Sequence, residues 1–323
     1  MSRKVAFITG GSRGIGKWCA LELASEGYDI AITARTAADG ERREQSNTLG
    51  ASDISALPGS LENTASLIRK EGVTACVVPA DLLEPASLGA AVATVLARLG
   101  RIDVVVHCGR YTGPGHMDRF LDTPIDLLRK QMEANVFGPL TIDKLVLPTM
   151  IKQGSGTLIN ITSAGAYGDP RKPAGEGGWG MGYGISKAAL QRVSGFLNVE
   201  LRQKGIRCFN VNPGFTQTDQ MAQGLAKDYK TLFGVESENK AAPPNVPGKV
   251  VRWLCTNPAA DQYVGHTIEA QHFCHEKGLL PGWGGPRVSE IDALDFDMSG
   301  SHLKQLATEL QATLSQMQPR PLD

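Results

Sequence analysis

Short apolar runs alternate with longer amphipathic segments through most of the chain. The apolar runs are rich in valine and isoleucine, which favours strands buried on both faces. The segments between them are long enough to form helices. This alternation is typical of a doubly wound parallel sheet with helices on both faces. The predicted strands are Lys4–Gly10, Asp29–Ala34, Ala75–Ala80, Ile102–Cys108, Gly156–Ser163 and Ile206–Gly214.

The amphipathic segments predict helices after most of these strands. The longest of them contains Pro139, near which we expect the helix to break or bend. The predicted helices cover Gly16–Gly27, Glu62–Gly72, Ala86–Gly100, Pro124–Gly154 and Gly182–Gly205.

Three segments interrupt the alternation. Ala38–Ser60 is polar and predicts a long loop after the second strand, and Gly168–Gly182 is rich in glycine. Beyond about residue 280 a tail carries a helical stripe formed by Leu303, Leu306, Leu310 and Leu314. We predict that this stripe packs on its own domain or on a partner subunit.

Composition narrows the class of protein. The 323 residues include 33 Lys and Arg and 33 Asp and Glu, so the formal net charge is zero, which argues against nucleic-acid binding. We expect no membrane partner, because no apolar run approaches the roughly 20 residues of a membrane-spanning helix. We also expect no signal peptide, since the first residues enter a strand pattern at once. Six scattered cysteines are typical of reduced thiols, and we predict a cytoplasmic protein.

The segment Ile8–Trp18 (ITGGSRGIGKW) has two interpretations. It is a glycine-rich turn between a strand and a helix, where a nucleotide phosphate can approach the backbone. It also contains G-x-S-x-G centred on Ser12, the nucleophile elbow of hydrolases. A hydrolase elbow normally follows several strands and needs an acid and a histidine on later loops. The position of Ser12 after the first strand therefore disfavours the serine hydrolase.

Tyr183 and Lys187 are four residues apart in a predicted helix, so they share one face. A free tyrosine has a pKa of about 10, too high for a general base at neutral pH. A neighbouring ammonium favours the phenolate, and the same phenol can protonate an alkoxide in the reverse direction. Alone, such a pair is more often part of a solvated helix face.

The order of the motifs resembles the short-chain dehydrogenase/reductase family from about Lys4 to Gln271. The shared features are TGGSRGIG after the first strand, ADL after the third, EANVFG on a central helix, INITS after the fifth strand, YGISK, and NPGFTQT after the sixth. The resemblance implies a single Rossmann-type doubly wound α/β domain over residues 1–275. Its substrate loop lies at about 214–245, and residues 276–323 form a C-terminal extension.

The resemblance also implies roles for individual residues. Tyr183 matches the family's acid/base, Lys187 its activating partner, Ser163 the hydroxyl that holds the substrate oxygen, and Asn135 a member of a proton relay. The implied cofactor-binding residues are Gly10, Ser12, Arg13, Gly14, Ile15, Gly16, Arg35, Asp81, Gly109, Tyr183, Lys187, Pro213, Gly214 and Thr218. The family also implies a homo-oligomer.

The end of the second strand bears on the choice of cofactor. An acid there binds the ribose 2′-hydroxyl of NAD, whereas an arginine accommodates the 2′-phosphate of NADP. Ala34 stands where the acid would fall, Arg35 follows, and Arg13 lies in the glycine turn. Two basic groups favour NADP, with NAD as the alternative.

The chain departs from the family in several places. His107, Cys108, Gly109 and Arg110 replace the usual N-N-A-G, and Arg110 could reach a phosphate, a charged substrate or solvent. Ser163 and Tyr183 are unusually far apart, and Trp179 and Met181 between them could wall the substrate pocket. His272, Cys274 and His275 suggest zinc, but no second cluster completes four ligands. We predict no metal and a strand end near the rim of the active site.

The substrate loop suggests the substrate class. Its apolar residues are Phe215, Met221, Leu225, Tyr229, Leu232 and Phe233. We therefore expect hydride transfer between NADP(H) and a largely apolar ketone, aldehyde or secondary alcohol. The alternatives are a nucleotide-sensing protein of the same fold without turnover and, more remotely, the hydrolase through Ser12.

Overall fold

A computed structural model describes residues 3–170, 172–219 and 241–286 of the chain. The chain divides into two compact units, residues 1–286 and 287–323. The predicted helical tail and most of the predicted substrate loop, residues 220–240, lie outside the described residues.

Within the described residues, seven strands form one parallel sheet in the order β3-β2-β1-β4-β5-β6-β7. Thr9 at the end of β1 is in register with Thr33 on one side and His107 on the other. The carboxyl ends of the strands therefore meet at one edge, as the doubly wound prediction requires. The strands are β1 (Val5–Thr9), β2 (Asp29–Thr33), β3 (Ala75–Val77), β4 (Val104–His107), β5 (Gly156–Ile161), β6 (Ile206–Asn212) and β7 (Thr267–Glu269).

Helices cover both faces of the sheet. The phase of the central helix changes at a π turn, Glu133–Phe137, between α4 and α5, close to the bend predicted at Pro139. The helices are α1 (Gly14–Ala24), α2 (Leu61–Lys70), α3 (Pro85–Leu99), α4 (Ile125–Met132), α5 (Gly138–Gln153), α6 (Met181–Leu201), α7 (Val246–Thr256) and α8 (Ala270–Glu276).

The core has two layers, one on each side of the sheet. Consecutive side chains of a strand point to opposite faces. Phe7 and Ile8 are both fully buried, Phe7 among the helices of one layer and Ile8 in the other. Burial on both faces explains why the strands are continuous apolar runs.

The carboxyl-terminal end of the described chain differs from expectation. β7 adds a seventh strand that the sequence analysis missed, because only Thr267–Glu269 are extended. The prediction of a strand end at His272, Cys274 and His275 is wrong, since these residues lie on α8. Phe273 and Cys274 are buried among apolar side chains, so helical packing decides their conformation.

Three further observations concern the described residues alone. None of their helices is both long and apolar enough to cross a membrane. No three of their His, Cys, Asp or Glu side chains group as metal ligands. All six cysteines are free thiols, and five of them are buried.

Candidate active site

The first two turns of α6 place Tyr183 and Lys187 at the carboxyl edge of the sheet. Lys187 is 3% exposed, and its Nζ donates a hydrogen bond to the carbonyl of Ile161, at the end of β5, at 2.7 Å. Burial lowers the pKa of Lys187 to about 8, and the charge of Arg110 acts in the same direction. At neutral pH the ammonium is therefore still the main form and lies one helical turn from the phenol.

Ser163 follows β5 at the same edge. Its Oγ accepts a hydrogen bond from the backbone N of Gly165 at 3.2 Å. The indole of Trp179 closes this side: a Cβ added at Gly165 would lie 3.1 Å from the indole, and one at Gly184 would lie 3.3 Å from it. The long spacing between Ser163 and Tyr183 thus brings an aromatic ring against Gly165 and Gly184, which lie close to them in the chain.

Asn135 lies in the π turn and is 2% exposed. Its Oδ1 accepts a hydrogen bond from the backbone N of Tyr111 at 2.6 Å, and its Nδ2 donates one to Ser186 Oγ at 2.9 Å. π turns of this kind occur mostly at functional sites. Asn135 joins the loop after β4 to the helix that carries Tyr183 and Lys187.

His116 is a site residue that the sequence analysis passed over. Its imidazole meets the Tyr183 ring edge-on, and its backbone carbonyl accepts a hydrogen bond from Gly180 N at 2.7 Å. Burial lowers its pKa well below the ordinary histidine value, with the charges of Arg110 and Lys187 as further causes. Only tertiary packing, which no local motif records, brings His116 to Tyr183.

The glycine turn between β1 and α1 is closely packed. A Cβ on Gly16 would lie 2.2 Å from the carbonyl oxygen of Gly10, and one on Gly10 would lie 2.8 Å from Gly109 N. Thr9 Oγ1 accepts a hydrogen bond from Gly109 N at 3.0 Å. The turn and the loop after β4 touch backbone to backbone, which leaves room at this edge for a nucleotide rather than for side chains.

An anion already lies at the amino end of α1. The Asp219 carboxylate accepts a hydrogen bond from Gly14 N at 2.7 Å and one from Lys17 Nζ at 3.2 Å. Helix N-termini attract negative groups in this way, because unpaired N–H groups and the helix dipole point at them. Here Asp219 stands in for a phosphate, so the residues of the turn fit the pyrophosphate of a dinucleotide.

The segment after β6 reaches across to this turn. A Cβ on Gly14 would touch the Thr218 side chain at 3.5 Å. Gln271 Nε2 donates hydrogen bonds to the carbonyls of Pro213 and Phe215 at 3.3 and 2.8 Å, which fixes the start of the segment. Pro213, Gly214 and Thr218 therefore border the same cleft as the glycine turn. Ile15, the next residue of the turn, packs against the core behind it.

Two of the predicted cofactor residues lie near one another at the end of β2. Arg13 donates hydrogen bonds to the carbonyls of Pro58 and Gly59 at 3.0 and 2.7 Å. Burial lowers the pKa of Arg13; the charge of Asp219 opposes this shift, and the charge of Arg35 adds to it. Arg35 donates a hydrogen bond to Thr112. Neither arginine forms an ion pair within the described part of the chain.

Asp81 lies in the turn after β3. Its backbone N donates a hydrogen bond to Ser87 Oγ at 3.1 Å, and its Oδ1 accepts one from Leu83 N at 3.0 Å. These bonds hold the carboxylate in a defined turn at the carboxyl edge of the sheet.

A strap formed by residues 42–56 crosses this edge. Asn47 accepts a hydrogen bond through its carbonyl from Met117 N at 2.8 Å. Asp118 accepts one from Thr48 Oγ1 at 2.6 Å and one from Leu49 N at 3.0 Å. The sequence predicted a polar loop here, but its partners 70 residues away became visible only in the fold.

His107 differs from the usual asparagine at the end of β4. Its side chain is fully buried, and Nε2 lies 2.8 Å from Asp143 Oδ1 on α5. Its Nδ1 is buried without a hydrogen-bond partner within the described residues. His107 therefore links the sheet to the helix beneath it rather than facing the cleft.

Ser12 is 4% exposed, and its carbonyl accepts a hydrogen bond from Thr64 Oγ1 at 3.3 Å. Within the described ranges, no histidine is hydrogen-bonded to the Ser12 hydroxyl. The geometry that a serine nucleophile requires is not assembled around this residue.

A second polar cluster lies at the ends of β6 and β7. Asn212 Nδ2 donates hydrogen bonds to Glu269 Oε2 and Tyr167 Oη, both at 2.7 Å. Tyr167 Oη in turn donates one to Glu269 Oε1 at 2.6 Å. Burial raises the pKa of Glu269, while its hydrogen bonds from Tyr167 and Asn212 oppose that shift.

Comparison with known proteins places this site in a family. The sequence profile described as short chain dehydrogenase matches residues 4–57 and 54–230. The chain is 27% identical over 256 residues to "Dehydrogenase/reductase SDR family member 7B" of Danio rerio, covering 78% of this chain and 74% of that protein. It spans 60–74% of the length of this and two related vertebrate proteins.

Two further relatives extend the comparison. The chain is 28% identical over 292 residues to the 2,3-dihydro-2,3-dihydroxybenzoate dehydrogenase of Bacillus subtilis (strain 168), covering 86% of this chain and 97% of that one. The crystal structure of carveol dehydrogenase from Mycobacterium avium, in complex with NAD, superposes with a TM-score of 0.67. That match covers 83% and 96% of the two chains at 19% identity, which establishes the shared fold. The chain belongs to the short-chain dehydrogenase/reductase family and is an NAD(P)-dependent oxidoreductase.

Proposed function

We propose that the protein interconverts a ketone or aldehyde and the corresponding secondary or primary alcohol, with NADP(H) as the preferred cofactor. The observation that carries this proposal is the pairing of Tyr183 with a buried Lys187 on one turn of α6. The relatives include dehydrogenases whose names refer to different alcohols, so the reaction class is common to them while the substrates differ.

Tyr183 is the acid/base. In the direction of reduction, its phenol gives a proton to the carbonyl oxygen as that oxygen gains negative charge, and in oxidation the phenolate removes it. Lys187 stabilises the phenolate, because a nearby opposite charge favours the ionised form. The bound nicotinamide supplies or accepts the hydride at the substrate carbon.

Ser163 and Asn135 complete the proposed catalytic set. Ser163 holds the substrate oxygen through its hydroxyl, beside Tyr183. Asn135 keeps α6 and the loop after β4 in register through Ser186 and Tyr111 and connects Lys187 to the proton relay. The Asn135 side chain uses one N–H donor and its oxygen in these two bonds.

The cofactor site runs along the carboxyl edge of the sheet. Backbone N–H groups from Ser12 to Gly16 hold the pyrophosphate at the start of α1, in the place that Asp219 approaches. Gly10 and Gly109 admit the nucleotide by their close backbone contact, and Asp81 binds the adenine. Pro213, Gly214 and Thr218 hold the nicotinamide end together with Tyr183 and Lys187.

The preference for NADP rests on Arg13 and Arg35. Both lie near the end of β2, and neither forms an ion pair among the residues described, although the charges of Asp219 and Asp39 act on Arg13. A 2′-phosphate there would accept hydrogen bonds from the two guanidinium groups. NAD remains the alternative. The Arg35 guanidinium already donates a hydrogen bond to Thr112. The proposal therefore requires a contact with the 2′-phosphate that Arg35 can form while it keeps this hydrogen bond.

Three further features belong to the same proposal. The substrate is largely apolar, which is supported by the indole of Trp179 beside Gly165 and Gly184, near Ser163 and Tyr183. The protein is a homo-oligomer, as its family implies, and it is cytoplasmic, which is consistent with its free cysteines. The division into a catalytic domain and a C-terminal extension also remains a proposal.

Calorimetric titration with NADPH and NADH, followed by a screen of ketones for NADPH oxidation, tests this function. We expect NADPH to bind more tightly than NADH. Tyr183→Phe should keep the NADPH dissociation constant within about threefold and lower kcat about a hundred- to ten-thousand-fold, as loss of a general acid does. Tyr263→Phe is the matched control and should stay active, because Tyr263 is a half-buried tyrosine that packs on Trp253 and Phe273, away from the proposed site.

The outcomes separate the alternatives. Near-normal turnover in Tyr183→Phe would refute the proposed acid/base. Tight cofactor binding without turnover on any carbonyl compound would favour the nucleotide-sensing protein. If NADH bound more tightly than NADPH, the proposed reaction would be unaffected, but the proposed binding of the 2′-phosphate by Arg35 would be refuted.

A further inference from the structure

Arg110 is a departure from the family pattern that the proposed mechanism leaves unused. The residue follows β4 by three positions, at the carboxyl edge of the sheet. Its two neighbours are fixed: Gly109 N donates to Thr9 Oγ1 at 3.0 Å, and Tyr111 N donates to Asn135 Oδ1 at 2.6 Å. Arg110 is therefore held between the glycine turn and the helix that carries Asn135.

The surroundings of Arg110 are positive and desolvated. The next residue, Tyr111, is hydrogen-bonded to Asn135, whose Nδ2 donates to Ser186 Oγ, one residue before Lys187. Arg110 therefore lies close to the part of α6 that carries Tyr183 and Lys187, and its charge acts on both and on His116. Burial lowers the pKa of Arg110 itself. The cleft thus holds two cations, Arg110 and Lys187, and a histidine that burial keeps neutral.

No negative charge balances these cations within the described residues. Arg110 donates one hydrogen bond, from Nη1 to the carbonyl of Tyr111 at 2.9 Å, and forms no ion pair there. Lys187 donates to a carbonyl as well. A guanidinium has five N–H donors, and a partly buried cation without a counter-charge is costly, so a bound ligand is the natural source of the missing anion.

The position of Arg110 decides which ligand group it meets. The phosphates of the proposed cofactor lie elsewhere, at Gly14 and near Arg13 and Arg35. Arg110 instead lies near the part of α6 that carries Tyr183, the proposed acid/base. A planar guanidinium matches a carboxylate through two parallel hydrogen bonds, and a single arginine suffices for it.

We propose that Arg110 binds a carboxylate on the substrate, so that the enzyme acts on an oxo acid or hydroxy acid whose carbon skeleton is otherwise apolar. This inference rests on the proposed function and adds a substrate class to it. It also revises the apolar expectation in one respect, because the site then has one charged group in addition to the apolar surface of Trp179.

Matched pairs of ketones test the inference. The probes are 3- and 4-oxocyclohexanecarboxylate and their methyl esters, assayed for NADPH oxidation. In the wild type we expect kcat/KM for each acid to exceed that for its ester by about tenfold or more, since a charge-assisted pair is worth about 1.5–3 kcal/mol. Arg110→Leu should abolish this preference through KM of the acids and leave the esters within about threefold.

A binding measurement makes the test independent of turnover. Cyclohexanecarboxylate and cyclohexanecarboxamide are titrated into the protein saturated with NADP+. The carboxylate should bind the wild type and lose at least tenfold in affinity in Arg110→Leu, while Arg110→Lys recovers part of it. Arg192→Leu, an exposed arginine on α6, is the control and should behave as wild type.

The results also distinguish this inference from the function on which it rests. Equal kcat/KM for acids and esters, unchanged in Arg110→Leu, overturns the carboxylate and leaves the oxidoreductase intact. A weaker NADPH affinity in Arg110→Leu, with acids and esters losing equally, overturns it too and assigns Arg110 to the cofactor. If Arg110→Leu does not fold, Arg110→Lys and the acid-to-ester ratio of the wild type decide the question.

Discussion

The imidazole of His116 lies edge-on to the phenol ring of Tyr183, with the ring centroids 4.5 Å apart and the planes at 81°. Such contacts are worth about 0.5–1.5 kcal/mol and favour one orientation of each ring. Because the pKa of His116 is far below its ordinary value, the ring is neutral at physiological pH. His116 is therefore a positioning residue for Tyr183 rather than a second acid.

Substitution of His116 tests this role. His116→Phe keeps the edge contact, so we expect kcat within about threefold of wild type, whereas His116→Ala should lose about tenfold. The measurement is kcat at saturating cofactor and ketone from pH 5.5 to 8. If kcat of the wild type changes with pH around 6.5 and this change is absent in His116→Phe, the imidazole titrates during turnover. That result would contradict a purely positional role.

Removing the Arg35 guanidinium should change cofactor choice. Arg35→Ala is expected to weaken NADPH about tenfold or more and to leave NADH within about twofold, because only NADPH carries the 2′-phosphate. Calorimetric titration of both cofactors gives the ratio. Arg69→Ala, an exposed arginine on α2, is the control. Parallel losses for the two cofactors would mean that Arg35 acts through the fold.

Ser12 and Gly16 lie in one turn but should respond differently to alanine. Ser12→Ala removes a hydroxyl that has no place in the proposed mechanism, so activity should remain within about threefold. Gly16→Ala puts a Cβ 2.2 Å from the Gly10 carbonyl oxygen, which the turn cannot accommodate. We expect it to lose NADPH binding. Complete loss of turnover in Ser12→Ala, with cofactor binding unchanged, would revive the hydrolase interpretation.

The Asp219 carboxylate occupies the place proposed for a phosphate at the start of α1. Asp219→Asn removes its negative charge, so NADPH should bind about threefold more tightly or better, since like charges no longer compete for one helix N-terminus. Asp169→Asn, an exposed aspartate, serves as the control. Weaker NADPH binding in Asp219→Asn would instead show that the carboxylate supports the bound cofactor through Lys17.

Burial of Lys187 predicts a pH dependence of stability. Its pKa is about 8 in the folded protein and about 10.4 in an unfolded chain. Between these values the unfolded chain holds a proton that the folded protein has lost, so this group makes the free energy of unfolding rise with pH. The penalty for burying the ammonium is complete below pH 8 and falls away above it, by about 3 kcal/mol in total.

Urea unfolding from pH 7 to 10 measures this effect as the difference between wild type and Lys187→Met. Above pH 8, the free energy of unfolding of the wild type should increase relative to that of Lys187→Met. Groups common to both proteins cancel, and Lys144→Met, an exposed lysine on α5, should give a flat difference. If the difference in the free energy of unfolding between wild type and Lys187→Met does not change with pH either, the pKa of Lys187 in the folded protein is near the ordinary lysine value.

The sequence predicted those parts of the fold that depend on local pattern. Six strands follow from their continuous apolar runs, and the long helices and the placement of Tyr183 and Lys187 on one helix face follow from the period of 3.6 residues. The sequence did not predict β7, because three extended residues are too few to give a recognisable pattern. The segment of α8 was predicted to be a strand end, because buried apolar residues such as Phe273 and Cys274 are expected in a strand as well as in a helix. His116, Asp118 and Asp219 could not be found, since their partners are 67 to 205 residues away in the sequence.

The strap over residues 42–56 gives the cleft a mechanical property. The strap is hydrogen-bonded to Met117 and Asp118, and Pro58 and Gly59, which follow it in the chain, accept hydrogen bonds from Arg13. His116, next to Met117, continues the path to Tyr183. On the proposed function, cofactor and substrate would each fix the same few residues. Thermodynamic reciprocity then requires that whichever binds first raises the affinity for the second by one and the same factor.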